Sequence, residues 1–388
     1  MSQTFNYPWL YFNNAGAGIA SAAVISRQLQ HLQKESEVGA YNASALVLDE
    51  VAKFYELAAR SIGATDPAEI AFMDSASRAW DAVIYGSGLT AGDRILTLSS
   101  EFGTNLVSIF HYANSVGAEV DVLQVSASGA FDLAAFEDLI SDRTRLVAIS
   151  HVAAHGSIVN PVREIGEIVS SRPDLLYVID GCQSVGQFRV DVNDLKCDAY
   201  TASGRKWLCG PRGTAFAYVR SGSAFAAPFV DLASADLEFD GSLGVKGVVI
   251  RDDARRFELW ERSVAGLLGL GVALGEYIDN LEDASIGKIA VYANQLRRSV
   301  VQQDQLVLIG SEKSATGVVG FYAASAVDHD RILETFKNRD IGVGLMHDWD
   351  CPLHYPENGV PAIFRIAPHL YTTQAEIDIT VETIESLG

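Results

Sequence analysis

Between residues 70 and 219, short apolar runs alternate with helical segments, and this alternation limits the chain more than any other feature. Strands are predicted at Ile70–Met73, Arg94–Leu98, Glu119–Leu123, Arg145–Ser150, Leu175–Ile179 and Thr214–Val219. Helices are predicted between them at Arg78–Leu89, Thr104–Ser115, Phe131–Ile140 and Pro161–Ser171. Short apolar strands joined through helices cannot pair as hairpins, so they build a mostly parallel central sheet with helices on its faces. The predicted fold class is therefore α/β.

The flanks read differently. Helical periodicity covers Ser21–Glu37, breaks at Gly39 and resumes over Val47–Ile62. After about Arg251 come long helical stretches, Asp253–Asn280 and Ile286–Gln302, and then short strands with two helices. A large domain over 15–250 is expected, with a smaller α+β domain made of 1–14 and 251–388. A chain of 388 residues can bury a core in each. No Pro/Gly/Ser-rich linker marks the boundary.

The charge balance of −20 argues against nucleic acid and anionic membranes as partners. No run of about 18 apolar residues is evident for a membrane span. The N-terminus lacks the basic and apolar regions of a secretory signal. Four cysteines without CxxC spacing point to no zinc site and no disulfide framework, hence to the reducing cytoplasm. No metal site is expected, because the histidines of the 347–355 region lack HxH or HxxxH spacing.

The chemistry concentrates in 178–213. An apolar run ends in Asp180, and Lys206 stands in a small-residue loop between Ser203 and Gly213. Singly these are ordinary: an acid ending a strand is commonly a turn residue, and a lysine before a tryptophan is commonly a surface residue. Jointly they match what pyridoxal phosphate requires. The cofactor needs a lysine for a Schiff base, a carboxylate for its ring nitrogen, and a helix N-terminus with hydroxyls and a cation for its phosphate. Lys206 and Asp180 supply the first two, and Gln183 is assigned to the ring oxygen. Ala76 and Ser77, opening a helix after a strand, together with Ser203 and Arg205, supply the third. Arg365, a charge inside the apolar run Ile363–Ile366, suits a substrate carboxylate.

These residues lie in segments that resemble the class V aminotransferase family, the fold-type I pyridoxal phosphate enzymes that include cysteine desulfurases. The resembling segments are YFNNAGAG (11–18), SASRAW (75–80), HVAAHGSIVNPV (151–162), DGCQSVGQ (180–187), SGRKWLCGPRG (203–213) and FRIAPHLYTTQAEID (364–378). The resemblance implies Phe102 stacked on the cofactor ring, a homodimer, and a small amino acid as substrate. Asn14, Tyr41 and His155 are assigned to the substrate pocket. Arg205 and Phe102 stand where desulfurases commonly carry His, and Ala154 where they carry Asn. Glu261 replaces a Thr that reaches the partner's phosphate, with Arg262 beside it as a substitute cation. ESEVGAY (35–41) and EFGTN (101–105) are similar to the branch containing hercynylcysteine sulfoxide lyase. The leading expectation is C–S cleavage by β-elimination from a cysteine-derived amino acid. The alternatives are a cysteine desulfurase using Cys351 as nucleophile, an epimerase or aminotransferase, and a non-catalytic partner subunit of the same shape.

Overall fold

The computed structural model describes residues 9–241, 244–356 and 359–387. The expected small-domain residues 1–8 lie outside this range, as do short parts of the segments 231–246 and 346–361, expected to shape the pocket. The chain enters through β1 (Leu10–Tyr11) and helices α1 (Ala22–Val38), α2 (Ala40–Ala45) and α3 (Leu48–Ser61). It then alternates: β2 (Ile70–Met73), α4 (Ala76–Tyr85), β3 (Arg94–Leu98), α5 (Gly103–Val116), β4 (Glu119–Leu123), α6 (Leu133–Leu139) and β5 (Thr144–Ser150). The series continues with α7 (Val162–Ser170), β6 (Leu176–Asp180), α8 (Val192–Leu195), β7 (Ala199–Ser203) and β8 (Ala215–Val219).

These strands form one seven-stranded sheet in the order β2-β8-β7-β6-β5-β3-β4. All pairs are parallel except those of β8, which runs antiparallel to both neighbours. Side chains alternate between two apolar layers, as a pleated strand requires. Leu96, Val147, Ile179 and Tyr200 lie in one layer with Phe54, while Ile95, Ala148, Val178 and Ala199 lie in the other with Trp80.

Strand β7 was not predicted. Its five residues, AYTAS, carry too little aliphatic character to stand out, yet all are buried between two strands. The sheet supplies the burial that the composition does not advertise. The hairpin of β9 (Ala235–Phe239) and β10 (Val245–Ile250) also falls in a segment read as loop.

The predicted helix over 253–280 is broken. A single 3₁₀ turn at Ala254–Phe257 is followed by extended chain to Ser263, which caps α9 (Val264–Glu282). The break lets Glu258 turn inward to accept from the Phe72 N–H and the Tyr55 hydroxyl, both at 2.8 Å. By length and composition α9 could cross a membrane, although its apolar run ends at Glu276 after Gly275. Its Leu267, Leu270 and Leu274 are fully buried in the core shared with Phe54 and Tyr200. Each such leucine contributes about 2 kcal/mol of apolar burial. The helix assigned to the small domain thus packs into the core of the large one.

After α10 (Lys288–Val301), strands β11 (Leu306–Ile309) and β12 (Val319–Ala323) precede α11 (Ala326–Asn338). Then come β13 (Ile341–Gly342), β14 (Gly344–Met346), β15 (Ile363–Ile366) and α12 (Gln374–Glu385). They build a four-stranded antiparallel sheet, β11-β12-β15-β14, over its own apolar cluster. Strand β1 pairs parallel with β13, which ties the chain's start to this second sheet.

Candidate active site

The parallel strands β5, β6 and β7 end together: Asp180 closes β6 with Ser150 opposite on one side and Thr201 on the other. Sites in open parallel sheets form at such carboxyl ends, where the strands stop and their connections diverge. Asp180 Oδ1 accepts from the Cys182 N–H at 2.9 Å and the Thr201 hydroxyl at 3.4 Å. Its Oδ2 accepts from Asn105 Nδ2 at 2.9 Å.

Beyond β7 the chain folds into a tight turn, with Cys209 N–H donating to the Lys206 carbonyl and Gly210 N–H to the Gly204 carbonyl. This turn points Lys206 back over the strand ends. The Lys206 Nζ stands 5.8 Å from the centre of the Phe102 ring. Burial lowers its pKa below the ordinary lysine value, against the opposing pull of Cys182 and Asp180. Such an amine is available as a nucleophile and as a base.

A cleft with a cavity volume of about 90 Å³ joins these groups. Lys206, Asp180, Phe102, Asn105 and Cys182 line it together with Ser75, Ala76, Ser77, Ser203 and Arg205, and Asp74 adds an acid to the wall. Ser75 caps α4 by accepting from the Arg78 N–H at 3.2 Å. The first N–H groups of a helix have no carbonyl one turn back, and the helix dipole is positive there. Arg205 lies alongside, fixed by a hydrogen bond to the Gly16 carbonyl. A helix N-terminus with two hydroxyls and a guanidinium suits a phosphate, and a buried lysine between a carboxylate and an aromatic ring suits a pyridoxal ring. The residues present therefore fit pyridoxal phosphate.

Arg365 projects from β15 between Gly320 and Gly344 of the neighbouring strands. Its Nη1 donates to the Ala154 carbonyl at 3.0 Å and its Nη2 to Asn13 Oδ1 at 3.3 Å. Its buried Nε has no partner among the described residues. Burial brings its pKa down to about 10, so it remains charged. A buried guanidinium with an uncommitted donor suits an incoming carboxylate.

Other expected residues are placed differently. Asn14 is fully buried; its Nδ2 donates to the Ala367 carbonyl at 2.6 Å, and its Oδ1 accepts from the Tyr371 hydroxyl. It is Asn13 that meets Arg365. The Gln183 amide donates to the Ala15 carbonyl at 3.0 Å and accepts from the Trp207 indole N–H at 2.7 Å, and its side chain does not line the cleft. Tyr41 is 77% exposed on α2 and does not line the cleft. Arg262 is committed to Glu258 and Tyr55 of its own chain.

His155 is buried against His354, with their ring nitrogens 2.9 Å apart. Because His354 Nε2 faces the carbonyls of Val125 and Ser126, it donates; His354 Nδ1 then accepts from His155 Nε2. Cys351 is fully buried, its sulfur 3.9 Å from the His347 carbonyl. Burial, with Asp350 and Asp348, pushes its thiol up to about 12. The residues that sequence reasoning missed are Asn13, Asn105 and Glu101. The one available signal was Glu101, an acid between an apolar strand and a helix with no nearby lysine or arginine in the sequence.

A family model described as aminotransferase class-V matches residues 10–380. The chain is 28% identical over 398 residues to a cysteine desulfurase of Pectobacterium atrosepticum, a match covering 100% of this chain and 95% of that protein. Among solved structures, it resembles a C-DES mutant with glycine covalently linked to its PLP cofactor. The TM-score is 0.86 at 21% identity, over 98% of this chain and 97% of that one. It also resembles the cystine C–S lyase C-DES in complex with its reaction product cysteine persulfide. There the TM-score is 0.85 at 22% identity, over 97% of each chain.

Proposed function

The chain belongs to the class-V aminotransferase family, and from that premise we propose that it is a pyridoxal phosphate-dependent enzyme that cleaves a C–S bond in a cysteine-derived amino acid by β-elimination. The observation that carries this reading is the setting of Lys206: a buried amine of lowered basicity, facing the Phe102 ring and sharing one cleft with Asp180 and the N-terminus of α4. Pyridoxal phosphate, when bound, supplies an electron sink that lets the substrate's Cα–H bond ionise.

The chain's own residues do the rest. Lys206 would be the amine that anchors the cofactor and the base that takes the substrate's Cα proton. Asp180, held by three protein donors, keeps a positive charge on the ring nitrogen. Ala76, Ser77, Ser203 and Arg205 hold the phosphate. Arg365, steadied by Asn13 and the Ala154 carbonyl, orients the substrate carboxylate. Phe102 covers one face of the site and excludes water.

Elimination is preferred over desulfurisation because a desulfurase needs a cysteine thiolate at the substrate sulfur. Cys351 is buried, with a thiol raised to about 12. The second reading, a desulfurase, draws on the name of the similar Pectobacterium protein.

The test is incubation with cysteine and with a sulfoxide-bearing cysteine conjugate. Pyruvate and ammonia are expected, with the visible cofactor band and the activity both lost in Lys206→Ala. Persulfide accumulating on Cys351 would overturn elimination in favour of desulfurisation, and a keto acid retaining the side chain would assign transamination.

We further infer a homodimer in the cytoplasm. Exposed apolar residues on α1 and α2 (Leu29, Leu32, Tyr41) and on the β9–β10 hairpin (Val248, Val249, Ile250) support a partner face. Four free, buried cysteines suit a reducing compartment. Sedimentation equilibrium tests the dimer.

A further inference from the structure

Glu101 is a carboxylate with no solvent exposure and, among the described residues, no ion pair. Its Oε2 accepts from the Ser150 N–H at 2.6 Å. Its Oε1 accepts from the Phe102 N–H at 2.8 Å, from Asn105 Nδ2 at 2.9 Å, and from the Ser150 hydroxyl. Asn105 Nδ2 has two hydrogens, and the second goes to Asp180 Oδ2 at 2.9 Å. One amide group thus joins two buried carboxylates. Burying an unpaired charge costs several kcal/mol, and satisfying the Phe102 and Ser150 N–H groups requires only a neutral acceptor. The charge itself is therefore what needs explaining.

We propose that Glu101 is a positioning residue for Asp180: through the Asn105 amide, its charge reinforces the hold of Asp180 on a protonated ring nitrogen of the cofactor. The assignment rests on the pyridoxal phosphate reading above.

Burial and then the Asp180 charge push the Glu101 carboxyl up to about 7, against the donors Ser150, Phe102 and Asn105. Asp180 is the titratable group that faces it. Asp180 in turn acts on Cys182, Tyr200 and Lys206, with Arg205 also acting on Cys182 and Lys206. In the cofactor-free protein, burial and the Asp180 charge favour the protonated form of Glu101. A cation held by Asp180 favours its ionised form, and the ionised form favours the cation in return.

The test is a pH titration of the visible band of the full-length protein loaded with pyridoxal phosphate, compared with Glu101→Gln. The acid–base midpoint of that band reports the charge felt by the cofactor. Loss of the Glu101 charge is expected to lower the midpoint by about one pH unit or more. A purely structural role would lower the melting temperature of the cofactor-free protein and leave the midpoint in place. If Glu101→Gln does not fold, Ser150→Ala decides. It keeps Glu101 but withdraws a hydroxyl donor that favours its charge, so the midpoint moves in the same direction. An unchanged midpoint in the folded, loaded variant overturns the proposal while leaving the cofactor assignment intact. A wild-type protein that stays colourless with added pyridoxal phosphate overturns both.

Discussion

Asn13 and Asn14 are neighbours with separate tasks. Asn13 steadies Arg365, whereas Asn14 ties β15's exit at Ala367 to Tyr371. Asn13→Ala is expected to raise the KM for the amino-acid substrate by up to about tenfold, equivalent to about 1.4 kcal/mol, with little change in stability. Asn14→Ala is expected to leave KM in place and lower stability by about 1–3 kcal/mol, because it orphans buried partners. Initial rates and urea denaturation separate the two. Cys351→Ala is expected to keep pyruvate formation within about twofold, since its buried thiol does not face the Lys206 cleft. The residue types of the site were legible: a lysine, an acid, an arginine and a helix start. Which asparagine turns toward Arg365 was not, because that depends on how 11–14 pairs with β13 and Ala367.

At the scale of elements, the site depends on where helices begin. The start of α4 was legible because Ser75 is an N-cap preceded by an apolar strand. The start of α5 is decided by tertiary contact. At Gly103, any Cβ would overlap the Trp349 carbonyl oxygen, so the first residue of α5 is the seat of the 347–351 segment. Gly103→Ala is therefore expected to push that segment away and uncover Cys351. The reaction of Cys351 with a thiol reagent should accelerate at least several-fold over wild type, with a melting temperature lower by a few degrees. Unchanged thiol kinetics would show that α5 does not seat the segment. Strand β7, which carries the Lys206 turn, was invisible for the opposite reason: its short, mixed sequence acquires strand character only between β6 and β8.

For the whole molecule, the buried histidines set the acid limit. Burial lowers His151 to about 4, His155 to about 3 and His369 to about 4, from an ordinary value of 6.5. Folded-state values below the unfolded value mean that this stability is fully present above pH 6.5 and is lost as pH falls toward 4. Glu101 has the opposite sign: raised to about 7 from 4.5, its contribution is full below 4.5 and is lost as pH rises through 7. Burial lowers His329 as well, so the histidines outweigh Glu101 and the cofactor-free protein is expected to lose about a few kcal/mol between pH 7 and 5. Glu101→Gln, lacking the compensating term, should lose more over the same interval. Denaturant midpoints at the two pH values check both statements.

The sequence by itself determined the α/β class and the cofactor chemistry, and it led to Lys206, Asp180 and Arg365 as the proposed site residues, because short-range pattern and residue type carry that information. Only the tertiary structure decided that β7 exists, that α9 belongs to the sheet's core, that Asn13 rather than Asn14 serves Arg365, and that Cys351 is closed in. It also joined Glu101 to Asp180 through Asn105. Each of these depends on which groups, distant along the chain, are brought within hydrogen-bonding or packing distance, and no local pattern encodes that proximity.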